Sequence, residues 1–480
     1  MTSSKDTHNV VSIPVDRIDL NDRAMKAVEE QRHDEAERLL TSAIEEAEAH
    51  QILDRCYAVC LSNLGRLHYE KGDYSKAEPI LRHALEIDTK LDKNEGSTGT
   101  EGSMRSLLNL SALLKESRNY DEAESLLRRA LEIAERLYGN SHVEVATVLN
   151  NLGATYRNNG KNRDAESCYL RALQIREQAQ NPNDSDIAGL LGNLGLLCSE
   201  TGRLTEAEHY FTRAITIEEA KNGGVSLRLA TMINNLAFLR QDQGKFDDAA
   251  ELFYRSLKMK EMAVGNNHPS VASTLFDLSA LYWKQDRLND SVPLLTRCLT
   301  IHEQSFGSDS TKLLVVLDNF ALVQFARGQF VESEALYRQA AAIAENAYGN
   351  DDAAVAAERR WIAWCLDAQG LPDRAEPERK QADKVLRRYP VESTERRDAM
   401  RQKASTRMEA AEHFFESGNY YSALSTYLNA EAALEIADGM NSDNMAFCFE
   451  SVGRSLRKLD CATGAIVFET EAAVIRARLR

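Results

Sequence analysis

A recurring spacing of small residues constrains this 480-residue chain more than any other feature. An Ala or Ser recurs in six consecutive steps of 42 residues between positions 123 and 375, and the same motif continues on both sides. A second small residue usually follows seven positions later, and a Gly often precedes the first by five. The first small residues are Ala36, Ala77, Ala123, Ala165, Ala207, Ala249, Ser291, Ser333, Ala375, Ala423 and Ala465. This period predicts an array of similar units, each packed only against its neighbours.

Each unit has the pattern of two antiparallel helices. Small residues at a helix crossing allow the two backbones to approach closely, and the Gly provides a left-handed turn between them. The second helix of a unit begins with acidic residues and ends with Arg, as Glu122 and Arg129 illustrate. This order suits the helix dipole. The sequence therefore predicts an all-α chain of stacked helical hairpins.

The run from Val145 to Gln178, "VATVLNNLGATYRNNGKNRDAESCYLRALQIREQ", resembles a tetratricopeptide repeat. The usual period of that motif is about 34 residues. A period of 42 with loops such as "GNNHPSVAST" is similar to the kinesin-light-chain subtype, which also occurs in bacterial scaffold and regulatory proteins. The resemblance extends over residues 17–480 and is strongest over 104–345. It implies a right-handed α-solenoid of about ten or eleven hairpins that binds other proteins.

Breaks in the period predict the domain organisation. The N-terminal stretch contains the apolar residues Val10, Val11, Ile13 and Val15, which either belong to a flexible tail or fold back as a self-ligand. Pro390 lies in the longest step of the array and predicts a hinge that holds the last repeats away from the main stack. The predicted segments are a tail (1–16), a solenoid (17–388) with a Gly- and Ser-rich insert (93–103), a hinge (389–402) and C-terminal hairpins (403–480).

Charge and motifs exclude several classes of function. Lys and Arg number 58 against 74 Asp and Glu, a net charge of −16 that argues against nucleic acid and anionic membranes as partners. There is neither an apolar run long enough to span a bilayer nor an N-terminal signal pattern, so we expect a cytoplasmic protein. Catalytic and nucleotide-binding motifs are missing, and His142 and His268 occupy equivalent loops. We therefore expect no enzymatic activity, cofactor or metal.

The first helices of the hairpins carry the candidate binding site. In this family they line a concave groove, and one position there is almost always an amide. Asn is a mediocre helix former, but its side chain can donate and accept hydrogen bonds at once. It can therefore hold the backbone of an extended peptide, a role that the resemblance implies, or it can brace neighbouring helices. The row consists of Asn63, Asn109, Asn151, Asn193, Asn235, Asp277 and Asn319.

Charges and aromatic side chains extend this site. Each of four first helices carries an acidic residue seven positions after the row: Glu70, Glu116, Glu200 and Asp242. These acids predict either a negative rim that favours a ligand with basic residues or simply a solvated face. The Lys and Arg clamp that some relatives use for acidic C-terminal tails is missing, since the matching positions include Thr147 and Ser273. Later repeats carry aromatic residues that we expect to be exposed as apolar anchors. These are Phe238, Phe276, Trp283, Phe325, Trp361 and Trp364.

The predicted function is a protein-interaction module that binds an extended peptide or a partner protein in the groove. Two alternatives remain open at this point. One is an oligomerising scaffold that uses its ends and convex faces, with self-association through the C-terminal end. The other is a peptide-sensing regulator, although the sequence shows no effector domain such as a DNA-binding helix-turn-helix.

Overall fold

The structure, a computed structural model, describes residues 16–30, 32–179, 184–221, 225–386, 442–459 and 461–479, together with isolated helical positions between 404 and 428. These residues form helices and no strands, which confirms the all-α prediction. The chain divides into two compact units, Met1–Lys221 and Asn222–Arg480. This division falls inside the predicted solenoid segment and not at its predicted end.

The described part of the first unit contains five helical hairpins. Each odd-numbered helix is the first helix of a hairpin and each even-numbered helix is the second. The helices are α1 (Arg17–Glu29), α2 (His33–Ala49), α3 (Arg55–Glu70), α4 (Tyr74–Asn94), α5 (Glu101–Glu116), α6 (Tyr120–Tyr138), α7 (Val143–Asn158), α8 (Asn162–Gln178), α9 (Asp184–Glu200) and α10 (Leu204–Lys221).

The second unit continues the pattern with four hairpins and a separate pair at its end. A short 3₁₀ turn, Thr311–Leu313, precedes α15. The helices are α11 (Leu227–Asp242), α12 (Phe246–Val264), α13 (Pro269–Lys284), α14 (Leu288–Phe306), α15 (Leu314–Ala326), α16 (Phe330–Tyr348), α17 (Ala353–Ala368) and α18 (Pro372–Leu386). The last pair, Asp443–Lys458 and Ala462–Leu479, is called the C-terminal hairpin below.

Small residues hold the two helices of each hairpin together, as the period predicts. Ala165 and Ala172 on α8 are both fully buried. On α7, Gly153 faces the ring of Tyr169, and a Cβ built at that glycine would lie 2.7 Å from the ring. The first and second helices therefore pack too closely for a side chain at this crossing.

The turn inside each hairpin needs a residue with positive φ. Gly72 and Gly160 provide it, with φ of 81° and 72°. Arg118 and Asp286 occupy the same place in two other hairpins and also adopt positive φ, 58° and 61°. The turn geometry is thus kept even where its usual glycine is absent.

The loops between hairpins explain the two equivalent histidines. Each caps the N-terminus of a first helix: the side chain of His142 accepts from the backbone N–H of Glu144, and that of His268 accepts from Ser270. Both histidines therefore act as caps at equivalent places in the repeat. The Gly- and Ser-rich insert also becomes partly helical, because α4 runs to Asn94 and Thr100 caps α5.

The final hairpin does not stand apart from the helices α15 and α17, unlike the expectation for the last repeats. The predicted hinge, 389–402, lies outside the described residues, as does the tail 1–15. The C-terminal hairpin, however, packs into one hydrophobic core with α15 and α17, where Phe449 and Phe468 join Trp364. The expectation that the final hairpin is held away from the second unit is wrong, because its apolar side chains are buried against α15 and α17.

Candidate binding face of the first helices

The asparagine row lies along the first helices, on the side called the first-helix face below. In the first unit, several of its amides connect neighbouring first helices. The Nδ2 of Asn63 donates to the Oδ1 of Asn21 at 2.8 Å, and that of Asn109 donates to the Oγ of Ser62 at 2.9 Å. The Nδ2 of Asn193 donates to the Oδ1 of Asn150 at 2.8 Å. These three bonds form rungs between adjacent hairpins, which is the bracing role left open by the sequence.

Other members of the row are not used in this way. Asn151 and Asn235 are half-buried, and no hydrogen bond of their side chains occurs within the described residues. The exposed Asn319 donates to the carbonyl of Val315 in its own helix at 2.7 Å. Within the described residues, the row thus contains amides that connect neighbouring helices and amides that do not.

Except at Asn63, whose partner is Asn21 in the row position itself, a signal in the sequence separates the two groups. The rungs of Asn109 and Asn193 end on the residue that precedes the row position in the previous first helix, and that residue is polar, Ser62 or Asn150. The residues at the corresponding places before Asn151, Asn235 and Asn319 are Leu108, Gly192 and Phe276, whose side chains cannot accept a hydrogen bond.

The second unit contains a rung with a buried charge. Asp277 replaces Asn in the row and accepts from the Nδ2 of Asn234 at 2.9 Å. Burial raises the pKa of this carboxyl, whereas the bond from Asn234 and the charge of Lys260 oppose the increase. Lys260 is itself buried and donates to the Oγ1 of Thr274 at 2.7 Å. Asp277 is therefore a structural member of the row.

Two carboxyl groups join α15 to α17. Asp318 and Glu358 hydrogen bond to each other, so one of them must carry a proton. Burial, and then the charge of Asp318, raises the pKa of Glu358 to about 9. Burial also raises the pKa of Asp318 to about 6. The buried hydroxyl of Tyr337 faces the same pair. Sequence reasoning missed this rung because the two acids occupy different positions of the repeat.

The acidic rim is exposed as expected, but part of its charge is paired. Glu70, Glu116, Glu200 and Asp242 are all exposed. Glu70 forms an ion pair with Arg66 at 2.7 Å, while Glu116 lies 3.9 Å from Lys115 and Glu200 lies 3.9 Å from Arg157. Exposed pairs of this kind contribute little to stability. They also reduce the negative charge that a ligand would meet at these three positions.

The aromatic residues divide into an accessible group and a covered group. Phe238 is 37% exposed and meets the ring of Phe253 edge-on at 5.1 Å. Phe276 and Trp283 are half-buried and pack against the core of the second unit. Phe238 is therefore an accessible aromatic on α11, whereas Phe276 and Trp283 offer only part of their surface.

The expectation of exposed anchors is wrong for the last three aromatics. Phe325 is 1% exposed and Trp364 is 2% exposed. Trp361 is half-buried, stacks on Tyr337 with ring centroids 5.1 Å apart and meets Trp364 edge-on at 4.8 Å. The physical reason is the C-terminal hairpin, which covers this part of the face with its own aromatic side chains.

Two other features of the described residues bear on function. Their helices do not combine the length and apolar character needed to cross a bilayer. Among the same residues, no group of three or more His, Cys, Asp or Glu side chains is arranged to hold a metal ion.

Comparison with known proteins identifies the family. The profile of the tetratricopeptide repeat matches residues 19–90, 103–178, 144–220, 228–304 and 280–346. The chain therefore belongs to the tetratricopeptide-repeat family, whose members are generally non-enzymatic scaffolds that bind protein or peptide partners. The chain has no match among curated protein sequences.

Several solved structures are similar to parts of this chain. BtubC (BKLC) from P. vanneervenii is 24% identical, with a TM-score of 0.44, over 48% of this chain and 92% of that one. The kinesin light chain-like repeats of a P. anserina protein are 18% identical, with a TM-score of 0.36, over 42% and 96%. The quorum sensor NprR from B. thuringiensis is 14% identical, with a TM-score of 0.45, over 77% and 98%.

Proposed function

We propose that the chain is a protein-interaction module in which the first-helix face of each unit can hold an extended segment of a partner by its backbone. The observation that carries this proposal is the unequal use of the asparagine row. Most of the row is engaged by neighbouring helices, whereas the half-buried amides of Asn151 and Asn235 have no such bond within the described residues. A peptide backbone offers the donors and acceptors that such an amide needs.

The exposed acids define the chemistry of the preferred partner. Glu116 and Asp242 stand on the C-terminal parts of α5 and α11 and are exposed. A partner with Lys or Arg near its bound segment gains Coulomb energy from them, and salt weakens this contribution. The proposed ligand is therefore an extended, basic peptide segment.

A peptide library tests the proposal. Peptides selected from a random-sequence phage library on the full-length chain would be synthesised with a fluorescent label, and their affinities measured by anisotropy. Asn151→Ala and Asn235→Ala each remove an amide that is not used as a rung, so we expect each to weaken binding about fivefold, the equivalent of one hydrogen bond. Gln174→Ala is the matched control, because Gln174 is an exposed amide on the second helix α8.

The result that contradicts the proposal is equally clear. If both Asn variants bind the selected peptides as tightly as the control, the binding surface lies elsewhere. Selected peptides without an excess of Lys and Arg, or with salt-independent affinity, would remove the role given to the acidic rim while leaving the role of the amides intact.

Self-association is a second candidate function. The second helix of the C-terminal hairpin is apolar on two sides, and its outer side exposes Ile466 and Val474 at 54% and 39%. Light scattering over a range of concentrations decides this point. A monomer at all concentrations excludes self-association, and a dimer that Ile466→Asp disrupts supports it.

A further inference from the structure

The aromatic end of the first-helix face is covered by a segment of the same chain. Phe468, from the second helix of the C-terminal hairpin, is 1% exposed. Its ring lies 4.7 Å from Trp364, 6.1 Å from Phe325 and 6.2 Å from Trp361, measured between centroids. From the first helix of the hairpin, Phe449 meets Trp364 edge-on at 5.7 Å.

The covering helix lies on the same row as the binding amides. Trp361 stands 42 residues after Asn319 and so occupies the row position in α17. Phe325 occupies the same place in α15 that Trp283 occupies in α13, again 42 residues earlier. The C-terminal hairpin is therefore seated on positions equivalent to those proposed to hold a partner.

Close contacts fix the start of this helix against α15. The Sγ of Cys461 donates to the carbonyl oxygen of Phe325 at 3.5 Å. A Cβ built at Gly464 would lie 3.0 Å from the ring of Phe325, so the helix backbone lies directly on this ring. The surface formed by Phe325, Trp361 and Trp364 is called the seat below. An apolar helix is thus packed on an aromatic surface.

A polar contact marks the other edge of the seat. The Nε of Arg379 on α18 lies 3.4 Å from the Oε1 of Glu471, and the same guanidinium also pairs with Asp367 on α17. Burial raises the pKa of Glu471, whereas Arg379 and Arg360 act in the opposite direction. The carboxylate of Glu471 is thus partly desolvated, and its pairing with Arg379 compensates for that cost at an edge that solvent still reaches.

We propose that the C-terminal hairpin is a displaceable occupant of the aromatic end of the first-helix face, so that a partner reaches Trp361 and Trp364 only after the hairpin has left. This inference rests on the proposed function, since it treats the same face as a binding surface. The displacing ligand is an apolar helical segment that presents an aromatic side chain in place of Phe468 and an acid about one turn later.

A peptide copied from the chain itself tests the inference. The probe is a fluorescent synthetic peptide of residues 461–479, and the receptor is the full-length protein. In the wild type the hairpin occupies the seat, so the probe can bind only the small fraction of molecules whose seat is free. The apparent affinity is lower than the intrinsic affinity in proportion to that fraction. Phe468→Ala in the receptor weakens the occupant, and we expect the probe to bind this variant at least about tenfold more tightly. Thr470→Ala, in the same helix but exposed and bonded only to the carbonyl of Ile466 in its own helix, is the control and should leave affinity unchanged.

Tryptophan emission supplies an independent reading, because all three tryptophans of the chain belong to this region of the second unit. We expect Phe468→Ala to shift emission to longer wavelength and to increase quenching by acrylamide, and the probe to reverse both changes. Glu471→Gln provides a milder variant with the same direction of effect. Circular dichroism of both variants checks that the helices remain folded.

Two outcomes overturn the inference. One is a probe that binds wild type and Phe468→Ala equally, or neither of them, while the variants remain folded. The other is a probe carrying its own Phe468→Ala change that binds as well as the unchanged probe. Either result leaves the proposed function standing if library peptides still depend on Asn151, whereas loss of that dependence alone refutes the proposed function and not the occupancy of the seat.

Discussion

The first helices of the first unit and the helices α15 and α17 use the same repeat position in opposite ways. In α3, α5, α7 and α9 the position is Asn, and neutral amide rungs such as Asn193–Asn150 join adjacent helices. In α17 the row position is Trp361, and the carboxyl pair of Asp318 and Glu358 joins α15 to α17. The C-terminal hairpin covers this surface.

The difference shows that the repeat determines spacing but not exposure. The same 42-residue period places an amide or an indole at the same point of the face. A polar row is stable at partial exposure to solvent, whereas an aromatic row is stable when another apolar surface covers it. A chain of one fold can therefore carry a polar row on some first helices and a covered aromatic surface on others.

The largest expected effect comes from the covered surface. Trp364→Ala removes a side chain that is 2% exposed and contacts both Phe449 and Phe468. We expect a loss of about 3–5 kcal/mol in the free energy of unfolding of the second unit, the usual range for large core truncations. Urea unfolding measures it. Tyr348→Ala, 53% exposed, is the control, and equal losses for both variants would show that Trp364 is not buried.

The second effect is a pH dependence of the free energy of unfolding, which the carboxyl pair of Asp318 and Glu358 should cause and the amide rungs should not. The pKa of Glu358 is raised from 4.5 to about 9, so the folded state retains a proton that the unfolded state releases. Its stabilising contribution is complete below pH 4.5 and is lost as the pH rises towards 9. We expect the second unit to lose at least about 1.4 kcal/mol across this window, the equivalent of one unit of pKa.

Glu358→Gln gives the matched comparison for this pH dependence. The amide keeps the shape of the side chain but does not titrate, so most of the decrease in stability should disappear. The measurement is urea unfolding at pH 5 and pH 8.5. A wild-type chain whose second unit is equally stable at both values would mean that the acid pair is not buried as described.

The third effect compares two residues of the same row. Asn193→Ala removes the bond to Asn150 and leaves that partner half-buried, so we expect a loss of about 1 kcal/mol. Asn151→Ala removes no side-chain bond within the described residues, and we expect a change within about 0.5 kcal/mol. Thermal unfolding of the two variants side by side measures the difference. Equal destabilisation would mean that Asn151 is also a rung.

The smallest effect concerns the polar edge of the C-terminal hairpin. Glu471→Gln removes a charge from a pair in which the Arg379 side chain is 30% exposed and the Glu471 side chain is 21% exposed. We expect a change of no more than about 1 kcal/mol, as is usual for pairs that solvent still reaches. Hydrogen exchange should nevertheless be faster in 461–479. Unchanged exchange would show that this contact does not help to hold the hairpin.

Much of this fold could be predicted from the period alone. Small residues such as Ala165 and Ala172 must be buried at a helix crossing, and glycines such as Gly160 must turn, because only these residues fit those places. The same reasoning identified the asparagine row and its two physical uses. It could also have indicated most of the rungs, since a polar residue stands before the row position in the helix that receives the bond from Asn109 or Asn193, although Asn63 bonds to Asn21 and does not follow this rule.

The aromatic end could not be predicted because its environment comes from distant sequence. Whether Trp364 is exposed depends on Phe449 and Phe468, which follow it by more than two repeats. A periodic pattern describes how each unit meets its neighbours, but it does not describe a later hairpin that returns to an earlier one. The burial of Asp318 with Glu358 could not be predicted either, because neither acid belongs to the repeated motif.

Oxidative footprinting of the free protein tests the central contrast most directly. Hydroxyl radicals oxidise accessible aromatic side chains, and mass spectrometry measures the rate at Phe238, Trp361 and Trp364. Trp is intrinsically the more reactive residue, yet the account predicts slower oxidation of Trp364, at 2% exposure, than of Phe238, at 37%. Trp361 should be intermediate. Rapid oxidation of both tryptophans would contradict the account, because the aromatic end would then be an open surface like the rest of the row.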